Sequence, residues 1–139
     1  MNKLTLDIVT QEKRLLTVET RRVTVETSEG EITLLPDHIP LLTRLTEGLL
    51  RYEDNEGKEQ VIAIFGGFLE LNNRGVLSIL ADSAARAEDI DEARAIKAQE
   101  EAKIKLVDRS REAEFAIAEA SMRKAALELK AAKYSKKSN

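Results

Sequence analysis

The sequence has no cysteine, one histidine and two prolines. Without cysteine there is no disulfide framework, no thiol nucleophile and no Cys-ligated zinc or iron–sulfur site. With His38 as the one histidine, a His-rich metal site and a Cys–His dyad are excluded too, and a Ser–His–Asp triad has only that residue to use. Aromatics make up 4% of residues, few for a base-stacking surface. A net charge of −3 supplies no global basic field for nucleic acid. No apolar run approaches the roughly 20 residues that span a bilayer. The start, MNKLTLDIVTQEKRL, lacks an apolar core followed by a small-residue cleavage site. The expectation is a soluble intracellular protein, sized for one ordinary domain or two small ones.

A second shortage is local. All six glycines and both prolines precede residue 76, and none follows. Alanine does the reverse: Ala63 and Ala81 are the only ones before Ala84, and fifteen stand from there on. Such a shift marks two structural regimes, with a boundary near residues 82–88. The division expected is 1–84 and 85–139.

The first regime alternates. In KLTLDIVT, Leu4, Leu6 and Ile8 point one way while Thr5 and Asp7 point the other. RRVTVET, GLLRYED, QVIAIF, FLELN and GVLSIL follow at short intervals. Turn residues separate them at Ser28–Gly30, Asn55–Gly57, Gly66–Gly67 and Asn72–Gly75. Short strands with regular turn signals predict an antiparallel sandwich or barrel. Gly66–Gly67 is expected to make a tight turn or bulge between two strands; no phosphate-cradling loop motif surrounds it.

The second regime is helical. Phe115, Ala118, Met122, Ala125, Leu129 and Ala132 follow a 3,4 spacing, a continuous seam on one helix face. Ala95, Ala98, Ala102 and Leu106 form a second seam. Asp89 with Glu92 three residues on resembles a capping box, and Asp108 and Ser110 suit a second cap. The pattern predicts a hairpin, Asp89 to about Leu106 and Ser110 to about Ala132. Alanine seams bring helices close but bury little, at about 0.8 kcal/mol per CH₂. Two readings follow: a small fixed hairpin, or a segment that undocks and stays helical.

Three stretches invite a chemical reading. LLPDHIPLL (34–42) holds both prolines and His38. Each proline lacks a donor and pushes the residue before it toward extended backbone, so the stretch reads as a stiff loop. Catalysis by His38 needs a nucleophile or a carboxylate orienter. Asp37 adjoins it, and sequence neighbours rarely face each other productively, so His38 reads as a structural or contact residue. DIDEARA (89–95) places Asp91 and Arg94 on one helix face, where a helix start and an arginine suit phosphate. The bland alternative is an i,i+3 ion pair. From Ser121 on, six basic residues face Glu128 alone, whereas the first 83 residues carry nine basic and fourteen acidic groups. That asymmetry fits docking of the hairpin on the first half, or contact with an acidic partner.

Taken together, SEGEITLLPDHIPLLTRLTEGLLRY (28–52), GGFLEL (66–71) and LADSAARAEDIDEARA (80–95) resemble, in order and spacing, the epsilon subunit of F-type ATP synthases of the bacterial type. The resemblance covers nearly the whole chain. It implies a β-sandwich of about ten strands followed by a two-helix antiparallel hairpin, with no catalytic activity of its own, no catalytic residue and no metal. It implies a rotor part of the central stalk, bound to the gamma subunit and to the membrane-embedded ring of c subunits, at the cytoplasmic face of the plasma membrane. By similarity the ring and gamma contacts fall at Glu29, Gly30, Glu31, His38, Ile39 and Leu42. An extended hairpin would oppose ATP hydrolysis, with Arg109, Arg111, Arg123 and Lys124 facing the beta subunit and the alpha subunit nearby. No cofactor is required. Ile90, Asp91, Arg94 and Ala95 fit the segment through which some members bind ATP. Ala85, Glu101, Lys124 and Glu128 depart from the rest of that site, and two of them bring negative charge to it. ATP is therefore expected at most as a weak regulatory ligand.

Overall fold

A computed structural model describes residues 2–107 and 112–138. Among these lie eight strands, a short 3₁₀ turn and two helices. The strands are β1 (Leu4–Val9), β2 (Arg14–Thr20), β3 (Val23–Thr27), β4 (Gly30–Leu34), β5 (Leu41–Glu53), β6 (Glu59–Leu71), β7 (Val76–Ala81) and β8 (Ala84–Arg86). The 3₁₀ turn covers Ala87–Asp89, and the helices are α1 (Glu92–Val107) and α2 (Glu112–Ser138).

The strand order is β2-β1-β7-β6-β5-β3-β4, with β8 also paired to β6. Every ladder is antiparallel except β1 with β7, where Leu6 stands opposite Leu77. Two long strands make this sheet a two-layered sandwich. The Leu41–Leu45 part of β5 pairs with Gly67–Leu71 of β6, while Leu49–Glu53 pairs with Glu59–Ala63. The Gly67–Leu71 part of β6 then pairs with β7, and Ile62–Ile64 pairs with β8. Each long strand thus serves both layers, and the expected ten strands are these eight with two counted twice.

The bend falls at Gly66 and Gly67, whose φ angles of 92° and 135° suit glycine alone. Gly67 is also pressed against β7: a Cβ there would meet the Leu80 carbonyl oxygen at 2.1 Å. The glycine pair is a bulge inside one continuous strand, not a turn between two.

The core lies between the layers. Leu4, Leu6, Ile8, Leu69, Leu71, Leu77 and Ile79 meet Val23, Val25, Leu34, Leu50, Tyr52, Ile62 and Ile64. Each such side chain contributes roughly 1.5–3 kcal/mol over its exposed state. In VIAI of β6 the alternation disappears, because Ile62 and Ile64 enter this core while Val61 and Ala63 point outward into a second cluster with Leu49, Ala87 and Ala131. Helix α2 covers that outer face, so this strand is buried on both sides.

The helical hairpin is as expected in kind. Ala95, Ala102, Ala118, Ala125, Leu129 and Ala132 are buried. Its ends differ from the sequence reading. Asp89 belongs to the 3₁₀ turn, and α1 starts at Glu92 because the Asp91 carboxylate accepts the Arg94 amide at 3.2 Å, as a helix cap does. Helix α2 continues past Ala132 to Ser138. Nothing in AAKYSKK breaks a helix. Ser110 and Asp108, expected as caps, lie outside the described residues. No described helix is long and apolar enough to cross a membrane.

Candidate functional site

The stiff loop forms as its prolines require. Residues 35–40 carry the chain from β4 to β5, and the His38 amide donates to the Leu35 carbonyl at 3.2 Å. Asp37 sits at φ 69°, and both its carboxylate oxygens accept from Asn2 Nδ2 at 2.8 Å. Asp37 is therefore committed to the chain start and does not orient the imidazole. His38 Nδ1 donates to the Ile39 carbonyl at 2.6 Å, since a carbonyl only accepts. His38 is exposed and holds its own loop. Around it Ile39, Pro40, Asn73, Arg74 and Gly75 line a shallow basin. The loop and the β6–β7 turn together make one end of the sandwich.

The other expected contact residues are split. Glu29 stands in the β3–β4 turn and Gly30 opens β4 beside it, where the Ser28 amide donates to the Arg44 carbonyl at 3.0 Å. Leu42 is two residues from Arg44 along β5, about 7 Å of strand, so this turn neighbours the loop end. Glu31 is turned away from it, toward Arg51, with Oε1 3.2 Å from Nη2.

Beside the rim lies a face that the sequence reading missed. On the outer side of the β5–β6–β7 layer, Phe68 stands opposite Leu80 and opposite Arg44. Leu42, Phe68 and Leu80 are 70%, 50% and 56% exposed. The parity of GGFLEL already carried this: Leu69 and Leu71 face the core, so Phe68 must face out.

At the junction of the two regimes, Ala85, Asp89, Ile90, Asp91, Arg94, Ala95, Lys124 and Glu128 line a cleft of about 360 Å³. The four residues expected there are thus gathered. Their surroundings are mixed in charge: Arg94 and Lys124 share the cleft with three carboxylates, one of which caps α1. Glu101 is not part of this cleft; it lines a neighbouring groove between the helices with Ala98, Lys105 and Ile117.

Comparison with known proteins identifies the scaffold. Residues 3–87 match the family described as ATP synthase, Delta/Epsilon chain, beta-sandwich domain. The chain belongs to the ATP synthase epsilon-chain family. It is 38% identical over 138 residues to the ATP synthase epsilon chain of Chromobacterium violaceum, covering 99% of this chain and 98% of that one. The epsilon chain of Nitrosococcus oceani is 37% identical over 126 residues, covering 91% and 89%. A chain of the Euglena gracilis mitochondrial ATP synthase, solved as an OSCP/F1/c-ring assembly, superposes with a TM-score of 0.68 at 28% identity, over 93% of this chain and 76% of that chain.

Within this epsilon-type chain, two of the four basic residues expected to face another subunit, Arg123 and Lys124, lie against the sandwich. Arg123 Nε lies 3.6 Å from Glu47 and its Nη1 3.3 Å from Glu119. The Lys124 ammonium lies 6.0 Å from the Phe65 ring centre. Arg109 and Arg111 fall outside the described residues. At the far end of α2, Arg51 Nη1 donates to the Tyr134 hydroxyl at 2.5 Å, and the guanidinium carbon stands 5.2 Å from the ring centre. Burial pulls the Arg51 pKa down, but the Tyr134 hydrogen bond and nearby Glu31 and Glu59 outweigh it, and the net direction is upward. Arg51 stays charged at any working pH.

Proposed function

We propose that this chain is a non-catalytic rotor subunit of an F-type ATP synthase central stalk, peripheral at the cytoplasmic face of the membrane. In this reading the sandwich grips the gamma subunit and the c ring, coupling their rotation to ATP synthesis. The hairpin limits ATP hydrolysis by leaving the sandwich and engaging the alpha and beta subunits of the catalytic head. The observation that carries it is the pairing of an uncovered apolar face and stiff rim on one layer with a hairpin docked on the other through a small, alanine-rich cluster. Further support comes from Ile96, Ile104 and Ile117, large apolar side chains left exposed on the docked hairpin. Exposed apolar clusters of this kind mark contact surfaces.

Deleting residues 89–139 tests both halves at once. Assembly with gamma and the ring should persist, while inhibition of ATP hydrolysis should fall. Loss of gamma binding on that deletion, or unchanged hydrolysis, would count against the reading.

The junction cleft favours a second reading, in which the docked hairpin closes on ATP through Arg94 and Lys124. Asp89, Asp91 and Glu128 oppose a polyphosphate there. Calorimetric titration of the full chain decides: heat at millimolar ATP that disappears in Arg94→Ala supports it, and no heat removes it.

A further inference from the structure

Helix α1 packs on α2, and the hairpin meets the sandwich through α2. The apolar part of that interface is modest, built from Leu49, Val61, Ala63, Ala87 and Ala131 with Phe65, Ile90, Leu127 and Tyr134 alongside. Two of its polar contacts, Arg123 to Glu47 and the exposed Lys124 over the part-buried Phe65 ring, leave their charged groups at the surface, and such pairs contribute little. The third is different. The Arg51 side chain is only 22% exposed and meets three groups at once: the Tyr134 hydroxyl, the Tyr134 ring and Glu31. A hydrogen bond to a charged group is among the stronger single contacts available.

We infer that Arg51 and Tyr134 form the latch that sets how much of the time the hairpin stays on the sandwich, with Glu31 holding Arg51 in position. The inference rests on the proposed reading that the hairpin leaves. Both partners suit a latch that opens. Arg51 lies on the outward face of β5, so once α2 departs water satisfies the guanidinium and no charge is stranded in the core. Tyr134 carries its hydroxyl away on an exposed helix. The latch sits near the C-terminal end of α2, which the antiparallel hairpin brings back beside the Ala87–Asp89 connection, so it fastens the hairpin at its root. Its position beside Glu31 also ties hairpin docking to β4. A partner that draws Glu31 away loosens Arg51 and the hairpin with it, and the coupling runs equally in reverse.

Because the chain lacks cysteine, single introduced thiols report cleanly. Ala63→Cys places a thiol under α2, and Val25→Cys places one between the layers; both positions are buried. Alkylation rates of the two full-length variants separate hairpin release from global unfolding. In the parent background the thiol at 63 should react faster than that at 25. Tyr134→Phe and Arg51→Met should each raise the rate at 63 by about tenfold, leave the rate at 25 unchanged, and together do no more than either alone. Glu31→Gln should raise it less. If the thiol at 63 reacts no faster than that at 25 in the parent, the hairpin does not open on its own, and the mobile-hairpin reading falls together with the latch. If 63 is faster but neither substitution changes it, or if their effects simply add, the latch alone is overturned.

Discussion

Phe68 and Leu80 stand directly opposite one another on β6 and β7, both pointing to the uncovered side of the sandwich. The Arg44 guanidinium lies 5.6 Å from the Phe68 ring centre. This row is half-exposed and faces away from the core, so its substitutions separate binding from folding. Phe68→Ser with Leu80→Ser should lower unfolding free energy by about 1 kcal/mol each, too little to unfold the sandwich. Affinity for a synthase complex stripped of this subunit should fall by tenfold or more. Full affinity in a normally folded double variant would mean that the rotor contacts lie elsewhere.

Gly67 is where β6 passes from one layer to the other. Gly67→Ala combines a positive φ with a Cβ aimed at the Leu80 carbonyl oxygen. Both the strain and the forced parting of β6 from β7 act in the folded state. The expected loss is about 3 kcal/mol or more in urea unfolding. Gly30→Ala, where a Cβ meets nothing within 4 Å, should cost less than half as much.

Tyr52 predicts an alkaline limit. Burial raises its phenol pKa, Glu88 and Asp54 push the same way, and Arg86 partly opposes them. A phenol whose folded pKa lies above its unfolded value gives stability that is complete below about pH 10. That contribution is lost as pH rises through the folded pKa, because only the unfolded chain ionises freely. Urea midpoints measured from pH 8 to 11 should fall more steeply in the parent than in Tyr52→Phe. Parallel curves would show that the phenol does not govern this limit.

Asp91 is a cap before it is anything else. Asp91→Ala should cost about 1 kcal/mol of helix stability, read as faster amide exchange in the first turn of α1. Asp91→Asn should keep most of the cap while removing the charge. Should millimolar ATP bind, Asn at this position should strengthen it, since one repelling carboxylate leaves the cleft.

The sequence made much of this architecture readable, and the exceptions have physical causes. Leu4, Leu6 and Ile8 alternate cleanly because β1 is covered on one face only. The alanine seams identified the α1–α2 contact because two faces of like periodicity must meet. Strand β2 escaped notice because Leu15 and Leu16 are adjacent and blur its alternation. Strand β4 escaped because five residues at a sheet edge carry almost no pattern. The second stripe of α2, through Lys124, Leu127, Ala131 and Tyr134, was hidden by the stronger seam beside it. The unbroken run VIAI was its missed signature, a strand with no solvent face. The Arg51–Tyr134 pair had no signal at all, since its members lie 83 residues apart and nothing in either stretch points to the other. Among the site residues, the junction segment was found as a group, whereas Glu31 was separated from the rim by a side-chain direction that spacing alone does not reveal.

The parallel pairing of β1 with β7 has a consequence for how the chain is made. A ribosome delivers β1 first, and β2 pairs with one of its edges at once. Its other edge waits for a strand at the far end of the sandwich. Until β7 emerges, Leu4, Leu6 and Ile8 have half a sheet and no finished core beneath them. The nascent sandwich therefore closes by capturing its own beginning, and the stretch between synthesis of β1 and β7 is when this chain has most to gain from a chaperone.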